Sequence, residues 1–354
     1  MIWIAVALLA AAAALALAWR LLRRIYPLPT PSDEVHHAPT SDGWALALHR
    51  YRPDRPTPGR EPVILCHGML SNRFNVDLDE EVSLARYLRE RGLDVWVLEL
   101  RGHGHSRRGG GASVRPYDWN LDDYIQKDLP AAVSYVRKAT GANAVHWFGH
   151  SMGGMILYAA CALPALDGAI RSAVVCDSPA SFGPLRTRVG LARLYGRMVP
   201  VVPPALVLPM LGPVAWLMPG IMSPRYGLEE RRLVMTILAN AIIPWGSSRT
   251  LLQFCDMLES GRFLSSDGAV DYEAGAARVA FPILVLSTAR KIMVERAITL
   301  GFTRAASEDK TYERLTVEAG YSTDYTHSNV LVSRSSRREV YPLIAEWLVA
   351  RSTA

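Results

Sequence analysis

The chain carries little that would staple it covalently. Its four cysteines, Cys66, Cys161, Cys176 and Cys255, form no C-x-x-C pair, and no ladder of His and Cys has zinc spacing. A disulfide-held miniprotein is excluded. The apolar runs around Cys66 and Cys176 predict buried, reduced thiols, which suits a reducing compartment. No Lys/Arg block stands out. Half of the formal charge of +6 sits on Arg20, Arg23 and Arg24 beside an apolar stretch, so nucleic acid is not an expected partner. Repeats and low-complexity tracts are absent after that stretch. His103 and His105 are spaced i, i+2 without a carboxylate spacing that supports a metal; with Glu99 they read as loop-ordering residues, and no cofactor is expected. With 354 residues, half of them hydrophobic, the chain can bury about three quarters of its unfolded surface. A disordered chain is therefore excluded.

Charge is also missing from residues 1–19. Ile2 to Trp19 would make a helix of about 27 Å, at the lower limit for crossing a bilayer. Trp3 and Trp19 would sit at the two interfaces, and the three arginines follow at once. A secretory signal carries its positive charge before the apolar core, whereas this one has it after. The pattern predicts an uncleaved single-pass anchor over 1–24, with the bulk of the chain on the cytoplasmic side. A signal cleaved at the Ala16-x-Ala18 pattern and a merely peripheral helix are the alternatives. Pro27, Pro29 and Pro31 predict a stiff linker over 25–35.

Beyond the linker, apolar runs alternate with amphipathic stretches. Strands are predicted at 44–51 (half-exposed), 62–66, 94–100, 144–148, 172–176 and 281–287. Helices are predicted at 79–91, 121–139 (with Gly141 as stop), 152–163 and 337–350. Such alternation implies a mostly parallel sheet with helices on both faces. No buried strand is evident between Ser181 and Ala280. Residues 198–222 are uncharged and dense in proline, which argues against a spanning helix. We expect 36–180 and 281–354 to form the core and 181–280 a helical cap with a greasy wall that either packs on the sheet or meets substrate.

The strongest chemical signal is Gly149-His150-Ser151-Met152-Gly153. A G-x-S-x-G between a strand and a helix puts the serine on a sharp turn with its hydroxyl exposed. Gly149 and Gly153 keep that turn free of side chains, and the helix aims its positive end at the site. Oxyanion donors are expected from the Met152 amide and from Met69 in the His67-Gly68-Met69-Leu70 loop. Of nine histidines, only His327 lies beyond Ser151, in the order this arrangement uses, so it is the expected base. His67 reads as a loop-structuring residue, and His150 as part of the turn.

Through DVW (94–96), RG (101–102), SRR (106–108), DLPA (128–131), TG (140–141), GHSMG (149–153) and YTH (325–327), the chain resembles the α/β-hydrolase fold and, within it, the lysosomal and gastric acid lipases and their bacterial relatives. The resemblance covers roughly 36–180 and 281–349. It implies a lipid- or ester-hydrolysing enzyme with Ser151 as nucleophile, His327 as base and the Met69 and Met152 amides as oxyanion hole. The acid departs from the pattern: where relatives place an Asp, this chain has Arg290 beside Lys291, and Asn329 stands two residues after the histidine. A cation cannot stabilise an imidazolium. Asp177, after the SAVVC strand, is the favoured substitute, with Glu295, Asp324 or no acid as alternatives. The expected function is a carboxylic ester or thioester hydrolase acting through an acyl-serine on a lipid-like substrate. Its rivals are a degenerate, membrane-tethered binding or scaffold protein and a different acyl-transfer chemistry on the same fold.

Overall fold

The computed structural model describes residues 2–28, 31–57, 59–109, 117–204, 228–243, 246–289 and 292–353. Its centre is a nine-stranded sheet. In chain order the strands are β1 (Glu34–Pro39), β2 (Trp44–Tyr51), β3 (Val63–Cys66), β4 (Val95–Leu98), β5 (Arg107–Arg108), β6 (Val145–His150) and β7 (Ile170–Cys176). The two-residue β8 (Val201–Val202) and β9 (Gly246–Ser247) pair apart from this sheet, and β10 (Ile283–Thr288) and β11 (Lys310–Leu315) complete it. The order is β1-β2-β4-β3-β6-β7-β10-β11, with β5 on β2. From β4 to β11 every pairing is parallel; β1 and β2 form an antiparallel edge.

The parallel strands are apolar along their length because both faces are covered. Successive side chains alternate between two cores. Ile64, Trp147, Val175 and Val285 belong to one, and Leu65, Phe148, Val174 and Leu284 to the other. The β2 strand is almost wholly buried rather than half-exposed as its alternation predicts. Its polar residues are matched inside the fold: His49 Nε2 meets Glu99 Oε2 at 3.0 Å, and Arg50 donates to both oxygens of Asp94 at 2.9 and 2.6 Å.

The helices are α1 (Ile2–Ile25), α2 (Leu84–Glu90), α3 (Leu129–Thr140), α4 (Met152–Ala160), α5 (Gly190–Met198), α6 (Leu228–Asn240), α7 (Ser248–Ser260), α8 (Ile292–Arg304) and α9 (Arg334–Ala350). α2 is shorter than the predicted 79–91. Asp79 Oδ1 takes the Glu81 and Val82 N–H groups into a turn, and Ser83 caps the helix by accepting from Arg86 N at 3.0 Å. A short helical segment and a single π-helical turn (Tyr124–Asp128) lead into α3, which ends at Gly141 with φ +74°. Between Ser181 and Ala280 the described residues form α5, α6 and α7 and the small β8–β9 pair. Residues 205–227, most of the expected greasy wall, lie outside the described residues.

The helix expected at 1–24 forms as the 24-residue α1. The crossing expected of it is not supported: among the described residues, no helix is long and apolar enough to cross a membrane. Its C-terminal end is docked on the globular body, where Asn240 Nδ2 donates to Tyr26 O at 2.7 Å. Trp3, Leu17, Leu21 and Ile25 along it are exposed.

The turn at 73–77, just past the Met69 loop, hangs on Asp77. This fully buried carboxylate accepts from Ser83 Oγ at 2.7 Å, Arg73 Nη1 at 3.1 Å, Arg86 Nε at 3.1 Å and the Tyr51 hydroxyl. Asp77→Ala leaves two guanidinium groups facing an empty site. It should lower the unfolding free energy by about 3–5 kcal/mol, read as a shifted urea midpoint at unchanged slope.

Candidate active site

Ser151, His327, Asp177 and the backbone of Met69 and Met152 gather at the C-terminal edge of the parallel strands, where open α/β sheets bind ligands. Ser151 lies between the end of β6 and the start of α4 at φ +54°, ψ −116°. A left-handed conformation for a non-glycine residue costs roughly 1–3 kcal/mol and persists only where its surroundings impose it. Here they do. Ser151 N donates to Cys176 O at 2.9 Å, and Ser151 O accepts from Gly154 N and Met155 N at 3.2 and 3.1 Å. A Cβ on Gly149 would lie 2.4 Å from Gly153 C, and one on Gly153 would lie 2.5 Å from Cys66 O. No side chain fits at either position, which is why the motif needs both glycines.

Asp177, the residue after β7, also takes a left-handed conformation, φ +50°. Its Oδ1 accepts from Thr288 N at 3.1 Å and its Oδ2 lies 2.5 Å from His327 Nδ1. Burial pushes its carboxyl up, but the bonds from the His327 ring and the Thr288 N–H outweigh burial and hold it below the ordinary aspartate value. The carboxylate is buried, whereas the His327 side chain is half exposed. The other candidate acids lie elsewhere. Glu295 engages Tyr312 Oη at 3.1 Å and Arg314 Nε at 3.2 Å, and Asp324 accepts from Val317 N at 2.9 Å. Arg290 and Lys291 lie outside the described residues. Asn329 closes the His327 loop, its Oδ1 accepting from Thr326 N at 2.8 Å and Thr326 Oγ1 at 3.1 Å.

The loop after β3 closes the other side. A Cβ on Gly68 would meet Ser151 Cβ at 3.1 Å and Ser151 Oγ at 3.6 Å, so this backbone runs directly past the serine. Met69 follows it, and Met152 opens α4, where N–H groups lack intrahelical partners. Among the described residues neither the Met69 nor the Met152 N–H has a hydrogen-bond acceptor. Fully buried His67 donates from Nδ1 to Gly68 O at 2.8 Å and accepts at Nε2 from Leu100 N at 3.3 Å. Burial lowers its pKa, so it is neutral and orders the loop.

His150 belongs to the turn, as its sequence position implies, and the structure adds a second role. Its Nε2 lies 3.1 Å from His327 O, its ring lies against that of His327 at a centroid distance of 4.7 Å and a tilt of 35°, and its Nδ1 lies 3.0 Å from Asn75 Oδ1, which accepts Gly68 N at 3.3 Å. It sits between the Gly68 loop and the His327 loop; both partner oxygens are acceptors and a neutral ring carries one N–H, so it donates to one of them and packs against the other. Burial and the neighbouring His327 push its pKa down to about 3, so it is neutral. No sequence signal announces this placement, because its partners lie far from it along the chain. Glu99 is likewise a hub: it accepts from His49 Nε2 at 3.0 Å, His105 N at 2.6 Å and Arg73 N at 3.2 Å. Burial pushes its carboxyl up, but these donors bring it down to about 2. His49, Glu99 and His105 bring ligand-capable atoms within 4.8 Å of one another, yet both Glu99 oxygens are already occupied by these donors. An open cleft of about 680 Å³ lined by Arg50, Asp94, Asn143 and Thr353 lies at the opposite, N-terminal edge of the strands, away from this chemistry.

The fold is the α/β-hydrolase fold, and residues 61–205 match the family model described by that name. Resemblance to acid lipases is shown by relatives. The chain is 33% identical over 147 residues to Lipase 1 of Drosophila melanogaster, covering 40% of this chain and 32% of that one. It is 32% identical over 167 residues to the human lysosomal acid lipase/cholesteryl ester hydrolase, covering 42% of each. The chain thus spans less than half the length of these relatives. Among solved structures, a soluble variant of the Saccharomyces cerevisiae monoglyceride lipase in complex with a substrate analog superposes with a TM-score of 0.57 at 14% identity, covering 93% of this chain and all of that one.

A carboxylate whose native pKa is depressed stabilises the fold above its ordinary value of about 4, and that stabilisation is lost as pH falls through the native pKa. Asp177→Asn should therefore lower the unfolding free energy near neutrality, with the gap to wild type closing below pH ~4. Urea denaturation from neutral to acid pH measures it; a gap that widens in acid would contradict an ionised Asp177.

Proposed function

We propose that the protein hydrolyses carboxylic esters or thioesters of lipid-like acids through an acyl-Ser151 intermediate. The observation that carries this is the 2.5 Å bond from His327 to buried Asp177, beside a serine held in a strained turn. With Nδ1 engaged by a carboxylate, the His327 ring presents Nε2 as the acceptor for the serine proton. Among the described residues no hydrogen bond joins Ser151 Oγ to that ring; in unliganded sites such bonds are often long and tighten with substrate. Ser151 Oγ attacks the ester carbonyl, and the oxyanion is held by the Met69 and Met152 N–H groups at the positive end of α4. His327 passes the proton to the departing alcohol or thiol, then takes one from water as it attacks the acyl-enzyme. Asp177 stabilises the imidazolium from the end of β7, with the Thr288 N–H at the end of β10 orienting it.

The lipid-like character of the substrate rests on the relatives that are named lipases and on the apolar composition of 198–222. In our reading 181–280 caps the site. Support comes from Ile243 N, which donates to Leu70 O at 2.9 Å, and from Ser71 Oγ and Asn72 Nδ2, which donate to Ala241 O and Asn240 O at 2.9 and 2.8 Å; these tie that segment to the loop carrying Met69. We also propose that residues 2–19 hold the enzyme at a membrane, with the hydrolase on the cytoplasmic side as the charge asymmetry suggests.

The test is hydrolysis of p-nitrophenyl esters from acetate to palmitate by the full chain, with a fluorophosphonate probe. Ser151→Ala should abolish both hydrolysis and labelling. His327→Ala and Asp177→Asn should lower kcat about 10³- to 10⁴-fold. Long acyl chains should react faster than acetate; equal rates would overturn the lipid assignment, and absent labelling would overturn the hydrolase reading.

A further inference from the structure

α1 ends in Arg20, Arg23 and Arg24, spaced i, i+3 and i+4, so that their side chains share one helix face. They line a cavity of about 470 Å³ with Leu28, Phe74 and Asn240 of the chain that follows. No acidic residue lines it, and among the described residues none of the three arginines has an ion pair. Arginines elsewhere are matched: Arg50 with Asp94, Arg86 with Asp77, Arg101 with Asp128. Here the one polar contact from the body is neutral, Arg23 Nε donating to Asn240 Oδ1 at 3.4 Å. All three are exposed and Arg23 also lies over the Trp19 ring at 5.1 Å; an anion held among them would offset what repulsion the solvent leaves. A favourable interaction with the helix C-terminal dipole accounts for cations in the last turn, but not for a cavity that residues of the globular body complete without an acid.

We propose that this cavity binds the phosphate-bearing headgroup of an anionic phospholipid. The guanidinium fork matches phosphate oxygens bidentately. Directly N-terminal to the arginines run the apolar residues 2–19, and Leu28 and Phe74 border the cleft. An occupant with its anion among the arginines and hydrocarbon along the helix satisfies both surfaces, whereas a free phosphate ion satisfies only the first. The inference rests on the reading that α1 meets a membrane, and it adds selectivity for charge to that reading.

Vesicle flotation of the full chain tests it, using phosphatidylcholine alone and phosphatidylcholine mixed with phosphatidylglycerol. Wild type should bind the mixed vesicles about 100-fold more tightly, from the contribution of three basic residues at an anionic surface. The variant combining Arg20→Gln, Arg23→Gln and Arg24→Gln should lose that preference while still floating with phosphatidylcholine and labelling normally at Ser151. Equal wild-type binding to the two vesicles, or a preference retained in the variant, overturns the headgroup site and leaves the membrane reading standing. Wild type that floats with neither overturns both. Inorganic phosphate should not abolish the preference beyond the effect of chloride at matched ionic strength. If it does, the cavity takes free phosphate and the lipid assignment fails.

Discussion

The lack of room between β3, β6 and α4 governs the architecture of this site. Cys66 O lies where a Gly153 Cβ would clash, and Gly153 lies where a Gly149 Cβ would clash. The chain can leave β6 and enter α4 only by a turn too tight for side chains at its flanks, and Ser151 takes the strain at φ +54°. Two chemical consequences follow from this backbone contact. Ser151 stands just past the end of β6 at the sheet edge, and the Met152 N–H that opens α4, without an acceptor among the described residues, follows it directly. Because β3 neighbours β6, the Gly68 backbone arrives at the same place and brings Met69 with it.

Buried carboxylates organise the loops around that turn. Asp77, Glu99 and Asp177 are all nearly inaccessible to solvent, and each is surrounded by donors. Asp77 gathers two arginines and two hydroxyls, Glu99 takes two backbone N–H groups and a histidine, and Asp177 takes one backbone N–H and His327. A buried charge left without such partners costs several kcal/mol, so each cluster holds its loop in one conformation. The histidines around Ser151 divide on the same principle. Buried His67, His103 and His150 are pushed toward neutrality and serve as fixed donors and acceptors, while His327 is half exposed and paired with a carboxylate.

Much of the core was legible in the sequence. PVILC, DVWVLEL, AVHWF and SAVVC are short apolar runs bounded by turn residues; the first two enclose an observed strand, and the strands at AVHWF and SAVVC each run two residues beyond the apolar run. Apart from the two-residue β5, β8 and β9, the strands without a clear sequence signal, β1 (EVHHAP) and β11 (KTYERL), lie at the two edges of the sheet. With one side unpaired and polar residues tolerated, edge strands carry little hydrophobic signal. β2 is buried where its alternation implies half-exposure for a related reason: its polar residues look solvated until Glu99 and Asp94 arrive from elsewhere in the chain.

What the sequence by itself determined is local: the alternation of strands and helices, the glycines that flank Ser151, and the presence of a single histidine after it. Steric demands between near neighbours set these, and near neighbours are visible in a string of residues. Which carboxylate meets His327 is a different kind of question. Arg290 occupies the position where an aspartate was expected, and Asp177, Glu295 and Asp324 were all available on inspection. The pairing spans 150 residues. It exists because β7 lies beside β10 in the sheet, where a left-handed turn at Asp177 and the Thr288 N–H aim its carboxylate at the His327 ring. Only the tertiary structure could decide it, because strand adjacency, not spacing along the chain, sets which groups come within hydrogen-bonding reach.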